Sequence, residues 1–181
     1  MKKITLIFAV LVLVSYGLNA QEMFEKGTKL VKVGFGLNGH SFPVEASYEQ
    51  GIVNNLFDVD GLNLGLGLYL GYYSYKEDFG MFTGDTWGWK YTNFVIGPRA
   101  IAHYEFIDKF DTYTGLMLGY DVGSSKYYGP DGYDPSPVTN GGFAFGWVVG
   151  GRYEFNDNWG AYAELGYSIS YLSLGVAYKL K

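Results

Sequence analysis

The sequence predicts an all-β chain closed as an eight-stranded, antiparallel, up-and-down transmembrane β-barrel, and three observations predict it. Apolar residues recur at every second position over one stretch after another, the spacing of a strand whose two faces meet different surroundings. The face opposite them collects charges and glycines, the reverse of a soluble barrel such as a lipocalin. One hairpin is also written more than once. Tyr104-Glu105-Phe106, a turn with Asp, and Leu118-Gly119-Tyr120 recur as Tyr153-Glu154-Phe155, Asn156-Asp157-Asn158-Trp159 and Leu165-Gly166-Tyr167. Tyr48-Glu49, followed by Asn54-Asn55-Leu56-Phe57 and Gly71-Tyr72, is a looser third copy. A repeated supersecondary unit reads as a meander.

Composition narrows the classes. The chain has no cysteine, which removes disulfides and Cys-based metal or redox centres. It holds 27 Gly, 18 Tyr and 13 Phe against 17% charged residues, far from the balance of a soluble domain. A formal charge of −5 leaves no basic footprint for nucleic acid. Nothing in the sequence calls for a cofactor.

Residues 1–20 read as a cleaved secretory signal peptide and residues 21–181 as one barrel domain. Lys2 and Lys3 precede the apolar run Ile4 to Val14, and Gly17-Leu18-Asn19-Ala20 supplies a small residue before Gln21. The run is shorter than the roughly 20 residues of a membrane-spanning helix. No cysteine follows the cleavage point, so a lipoprotein is not expected.

The strands follow in order. Val31, Val33, Phe35 and Leu37 alternate with Lys32, Gly34 and Gly36; Val44, Ala46 and Tyr48 oppose Glu45, Ser47 and Glu49. After a polar turn from Asn54 to Gly61, Leu62 to Leu70 at even positions and Tyr72 face away from Asn63, Gly65, Gly67, Tyr69 and Gly71. Lys76 to Lys90 reads as a loop. Arg99 to Tyr120 is two strands joined at Ile107 to Asp111. Gly123 to Asn140, with Pro130, Pro135 and Pro137, reads as a second long loop, because proline cannot donate to a central ladder. Phe143 to Glu154, Ala161 to Tyr167 and Leu172 to Leu180 complete the eight.

These strands have roughly the 9–11 residues that a tilted strand needs to cross a bilayer. Short turns follow the fourth and sixth strands, and long loops the third and fifth. Unequal rims of this kind belong to an outer-membrane barrel with periplasmic N- and C-termini. With lipid outside, the apolar face points outwards and the closed ladder satisfies the backbone. The other face would enclose Lys32, Glu45, Glu49, Arg99, His103, Glu105, Asp121, Arg152, Glu154, Glu164 and Lys179 in the lumen. Tyr48, Tyr104, Phe106, Tyr153, Phe155, Trp159 and Tyr178 would form the periplasmic aromatic girdle, and Tyr72, Phe94, Phe143 and Phe145 the outer one. The alternative for these rings is plain β-propensity.

With these features the chain resembles the small eight-stranded outer-membrane β-barrels of the OmpA/OmpX type, over Gly27 to Lys181. Ser173-x-Gly175-x-x-Tyr178-x-Leu180 looks like the C-terminal β-signal read by the outer-membrane assembly machinery, although many relatives end on an aromatic residue. The resemblance implies export to the bacterial outer membrane, with outer-membrane lipid and lipopolysaccharide around the barrel.

An eight-stranded barrel is just wide enough for its own side chains, so the charges are expected to pair as a plug, with Arg99 and Arg152 as bidentate centres. The competing reading is a narrow channel gated by exchange of ion-pair partners. Lateral passage of apolar molecules would need an apolar lumen. For catalysis, the only imidazoles are His40 and His103. His103 falls on the lumenal face, and His40-Ser41 with Glu77 or Asp78 is the nearest thing to a lipid A-modifying set, without a recognisable spacing. Asp131-Gly132-Tyr133-Asp134 lacks the ligand count of a calcium loop. Trp87 and Trp89 suit contact with a partner or glycan. The expected protein is non-enzymatic, with no catalytic or metal residue. It would serve envelope integrity or loop-mediated surface interaction, or stand as a small subunit beside a larger outer-membrane complex.

Overall fold

Turns and loops between consecutive two-faced strands favour pairing in sequence order, and the ring is built that way. The computed structural model describes residues 23–79, 86–130 and 135–180. Its strands are β1 (Lys29–Leu37), β2 (Val44–Val53), β3 (Leu62–Asp78), β4 (Gly88–Ile107), β5 (Phe110–Tyr128), β6 (Val138–Glu154), β7 (Trp159–Tyr167) and β8 (Leu172–Leu180). They close one antiparallel barrel, with β8 returning to β1 from Lys29↔Leu180 to Leu37↔Leu172. Closure pairs the backbone of both terminal strands, the condition for standing in a medium without water. One 3₁₀ turn, Leu56–Asp58, lies between β2 and β3. No described helix is long and apolar enough to cross a membrane. The signal-peptide reading lies outside the described residues.

The burial is inverted relative to a soluble domain. Lys32, His103, Asp111 and Arg152 are at most 2% exposed, whereas Phe35 is 67% and Leu165 63% exposed. Inward groups are held by one another, and the outward apolar belt has only lipid to meet.

Two expectations are corrected. Both ends of the stretches Lys76 to Lys90 and Gly123 to Asn140 are strand, at 76–78, 88–90, 123–128 and 138–140. Strands β3 to β6 run for 17, 20, 19 and 17 residues, against nine or ten in the other four. Pairing continues to Asp78↔Gly88, Gly88↔Tyr128 and Ser125↔Val138. Pro130, Pro135 and Pro137 stay outside the strands, but Tyr, Trp, Thr and Lys around them alternate and pair. Since β2 starts opposite Tyr72 and β6–β7 pairing stops at Trp147↔Tyr167, β3 to β6 rise above the rest of the wall as a four-stranded sheet.

The second correction is the turn at Ile107 to Asp111. Ile107 pairs with Phe110, so the link is only Asp108-Lys109, with Lys109 at φ 63°. The register slips between Glu105 and Ile107, a bulge at Phe106. Asp111 is thereby a strand residue with its carboxylate in the lumen.

Candidate functional site

The lumen is organised by carboxylates. Glu164 on β7 is the upper centre: Lys32 Nζ donates to Oε1 at 2.7 Å, Arg99 Nη2 to Oε2 at 2.8 Å and the Tyr113 hydroxyl to Oε1 at 2.9 Å. Lys32 also lies 4.4 Å from the Tyr113 ring centroid, and Gly150 leaves the space that ring needs. A Cβ at Gly150 would sit 2.7 Å from the ring. The lower centre is His103, with Nε2 2.5 Å from Glu49 Oε1 and Nδ1 2.9 Å from Asp111 Oδ2. From Asp111 the chain of charges continues to Arg152 at 3.2 Å, Glu154 at 3.4 Å and Lys179, 3.3 Å from Glu154.

The arginines are not bidentate centres. Each ion pair uses a single terminal nitrogen, Nη2, and the carboxylates branch instead. The Arg99 guanidinium also lies 5.8 Å from the Tyr69 ring centroid.

Three of the expected lumen acids have other partners. Glu45 accepts from the hydroxyls of Tyr69 at 2.9 Å, Tyr162 at 3.3 Å and Ser170 at 3.4 Å. Asp121 stands higher, bonded to Asn93 at 3.0 Å and Tyr73 at 3.4 Å. Glu105 accepts the Met23 amide at 3.0 Å. Above the Arg99–Glu164 pair a cavity of about 40 Å³ opens among Glu45, Tyr69, Met117, Ser170 and Ser173, room for a few waters.

Sequence reasoning missed two parts of this site. Asp111 was hidden in an assumed turn, although its parity matches Tyr113. The other is the segment before β1. Met23 and Phe24 enter the lumen from the turn end and are 5% and 3% exposed. The Phe24 ring stacks on His103 at 3.8 Å and 17°, and its carbonyl accepts from Asn63 at 2.6 Å. Gly65 makes the room, since a Cβ there would lie 2.8 Å from the Phe24 ring. No pattern of two or 3.6 marks such a segment. Ala177, 1% exposed in the cluster with Phe24, provides a reporter in a chain without cysteine. Ala177→Cys is predicted to resist a membrane-impermeant thiol reagent and to react when Phe24→Ala is added. Equal reactivity in both would show that the segment does not seal this end.

Outside, Tyr104 and Phe106 meet at 4.6 Å, Tyr153 and Phe155 at 6.0 Å, and Trp159 and Tyr178 at 4.8 Å, all at strand ends by the short turns. Tyr72 and Phe94 meet at 4.9 Å at the other level, where Phe143 pairs with Tyr120. Tyr48 is placed differently, in mid-strand between Val31 and Leu68, its hydroxyl on Gln50 at 3.2 Å. Of the terminal motif, Ser173 faces inwards on Ser170 at 2.8 Å, a Cβ on Gly175 would lie 2.6 Å from the Tyr162 ring, Tyr178 faces out and Leu180 pairs with Lys29.

The raised sheet carries rings on the face that continues the lumen: Tyr75 and Tyr91 stack at 4.9 Å, and Trp89 meets Tyr127 at 5.7 Å. At its crest the Tyr128 hydroxyl donates to the Asp78 carboxylate, which pushes the phenol up to about 12. His40 and Ser41 do not form a dyad. The Ser41 hydroxyl donates to Asn38 Oδ1 at 3.1 Å, and the imidazole lies 6.4 Å from the Tyr75 ring. Among the described residues no cluster of three metal-ligating side chains exists, and Asp131 to Asp134 lie outside them.

No family model and no curated protein matches the chain. Solved structures do. The attachment invasion locus protein Ail of Yersinia pestis, in complex with the heparin analogue sucrose octasulfate, is similar at TM-score 0.54 and 13% identity, over 86% of this chain and 99% of Ail. The N-terminal β-barrel domain of Pseudomonas aeruginosa OprF gives 0.54 and 13%, over 86% and 98%. A major outer membrane protein from Thermus thermophilus gives 0.56 and 14%, over 84% and 99%. Eight antiparallel strands in a closed ring, charges within and an apolar belt without, matched by these structures, give this chain the fold of the small eight-stranded outer-membrane β-barrels.

Proposed function

We propose that the protein stands in the bacterial outer membrane as a non-catalytic barrel whose raised β3–β6 sheet makes contacts at the cell surface. In this reading the short turns and both termini are periplasmic, the signal peptide directs export, and the assembly machinery reads Ser173, Gly175, Tyr178 and Leu180. The lumen acts as a plug rather than a path: ion pairs of 2.5 to 4.0 Å cross it, and the cavity above Arg99 and Glu164 holds about 40 Å³. One observation carries the surface role. Ring closure does not require β3 to extend beyond Tyr72 or β6 above Trp147, yet both do, with β4 and β5 between them. Extra strand that closes nothing, lined with Tyr and Trp, is suited to contact.

The test is to replace 75–90 and 124–140 by short turns. The shortened barrel should still migrate faster unboiled than boiled, and should lose whatever co-purifies with the native protein from outer membrane. Retention of an unchanged, stoichiometric partner by the shortened form would overturn the surface role of this sheet. A partner lost with the sheet would identify the protein as a small subunit of a larger complex. Raised detergent sensitivity in cells carrying the shortened form would tie the sheet to envelope integrity.

A further inference from the structure

Strand register brings together three lysines that are far apart in sequence. Lys76 on β3 pairs with Lys90 on β4, and Lys90 pairs with Lys126 on β5. All three are exposed and share the outward face of the raised sheet. Directly opposed side chains lie roughly 5 Å apart at Cβ, and like charges at that spacing repel. Among the described residues none of the three has a carboxylate within ion-pair distance. Asp78, on the same face one step higher, receives the Tyr128 hydroxyl. Lys76 also lies 5.1 Å from the Tyr128 ring centroid. A row of three like charges in an acidic chain has no structural reason within the fold.

Its height supplies one. Each step of two residues up this face changes the chemistry in the same way on three strands. Leu70, Ile96 and Tyr120 belong to the apolar belt; Tyr72, Phe94 and Val122 lie next; then Ser74, Thr92 and Ser124; then the lysines. Hydrocarbon, aromatic boundary, hydroxyls and cations, in that order, match the depth profile of a leaflet whose headgroups carry sugars and phosphates.

We propose that Lys76, Lys90 and Lys126 form a binding row for the phosphate groups of a phosphorylated glycolipid in the outer leaflet, with the hydroxyl row beneath contacting its sugars. The inference rests on the raised sheet facing outwards. The row neutralises headgroup phosphates at the barrel wall and is itself relieved of repulsion by them. It is a point-charge site, screened by salt over about 10 Å at 0.1 M.

The experiment compares the native barrel with the triple variant Lys76→Gln, Lys90→Gln and Lys126→Gln, in bilayers with and without lipopolysaccharide. Without it, loss of mutual repulsion should leave the variant as stable as the native barrel or more so. With it, the native barrel should gain stability and retain the glycolipid on the order of a hundredfold more strongly than the variant, an advantage that falls as salt rises. Enzymatically dephosphorylated lipopolysaccharide should erase the difference. Equal retention by both proteins would overturn the proposal, as would equal stabilisation of the native barrel by free inorganic phosphate. Orientation is read separately. Ser136→Cys, exposed in the link between β5 and β6 and clear of the row, should react with an impermeant maleimide in intact cells, and a failure there overturns the outward reading rather than the charge argument.

Discussion

Glu164→Ala is expected to lower barrel stability by about 3–5 kcal/mol, the range for removing one partner of a buried ion pair. The substitution leaves two cations in the lumen. Lys32 keeps only the more distant Glu49, at 4.0 Å, and the ion pair of Arg99 is with Glu164 itself. Tyr113 loses its acceptor as well. Denaturant titration of the barrel in bilayers, followed by the unboiled gel shift, measures the loss. A joint Glu164→Leu and Arg99→Met variant should lose less than Glu164→Ala, because it removes one of the two stranded cations along with their partner and leaves Lys32 the charge of Glu49. A single variant as stable as the native protein would mean that the network is solvated rather than buried.

Leu116→Arg is expected to cost about 2–4 kcal/mol, for a reason found on the other side of the wall. Leu116 is 55% exposed, lies between Ala100 and Trp147 in the register and sits within the apolar belt. In water such a change on an exposed residue would be close to neutral. In hydrocarbon it places a cation where only lipid chains can solvate it. The comparison is Lys126, ten residues further up the same face of β5, whose replacement by Gln should not destabilise the barrel in the absence of anionic lipid. The same titration in bilayers reads both. An unaltered midpoint for Leu116→Arg would refute the lipid-facing belt.

Much of this was legible in the chain itself. Parity placed Leu62 to Leu70 outside and Arg99, His103 and Glu105 inside, since a strand alternates whatever its partner. The repeated Tyr-Glu-aromatic unit announced hairpins. The bounds of the loops at Lys76 to Lys90 and Gly123 to Asn140 were not legible. Pro130, Pro135 and Pro137 do stay outside the ladders, but the strands run on to Tyr128 on one side and resume at Val138 on the other, because a proline bars only its own position from pairing. Phe24 carried no signal, because a ring that fills a socket obeys no period.

Alternation along one strand, set by covalent geometry, therefore determined the fold class, the inside-out arrangement and the lumenal face of most of the charges, Asp111 excepted. Neighbour relations are set by register, which depends on where each turn closes, and only the closed ring decided them. A turn of two residues turned Asp111 from a loop residue into a ligand of His103. Antiparallel pairing across three strands turned three scattered lysines into one row. Periodicity reports which face a side chain takes; what stands beside it is known only once the strands have met.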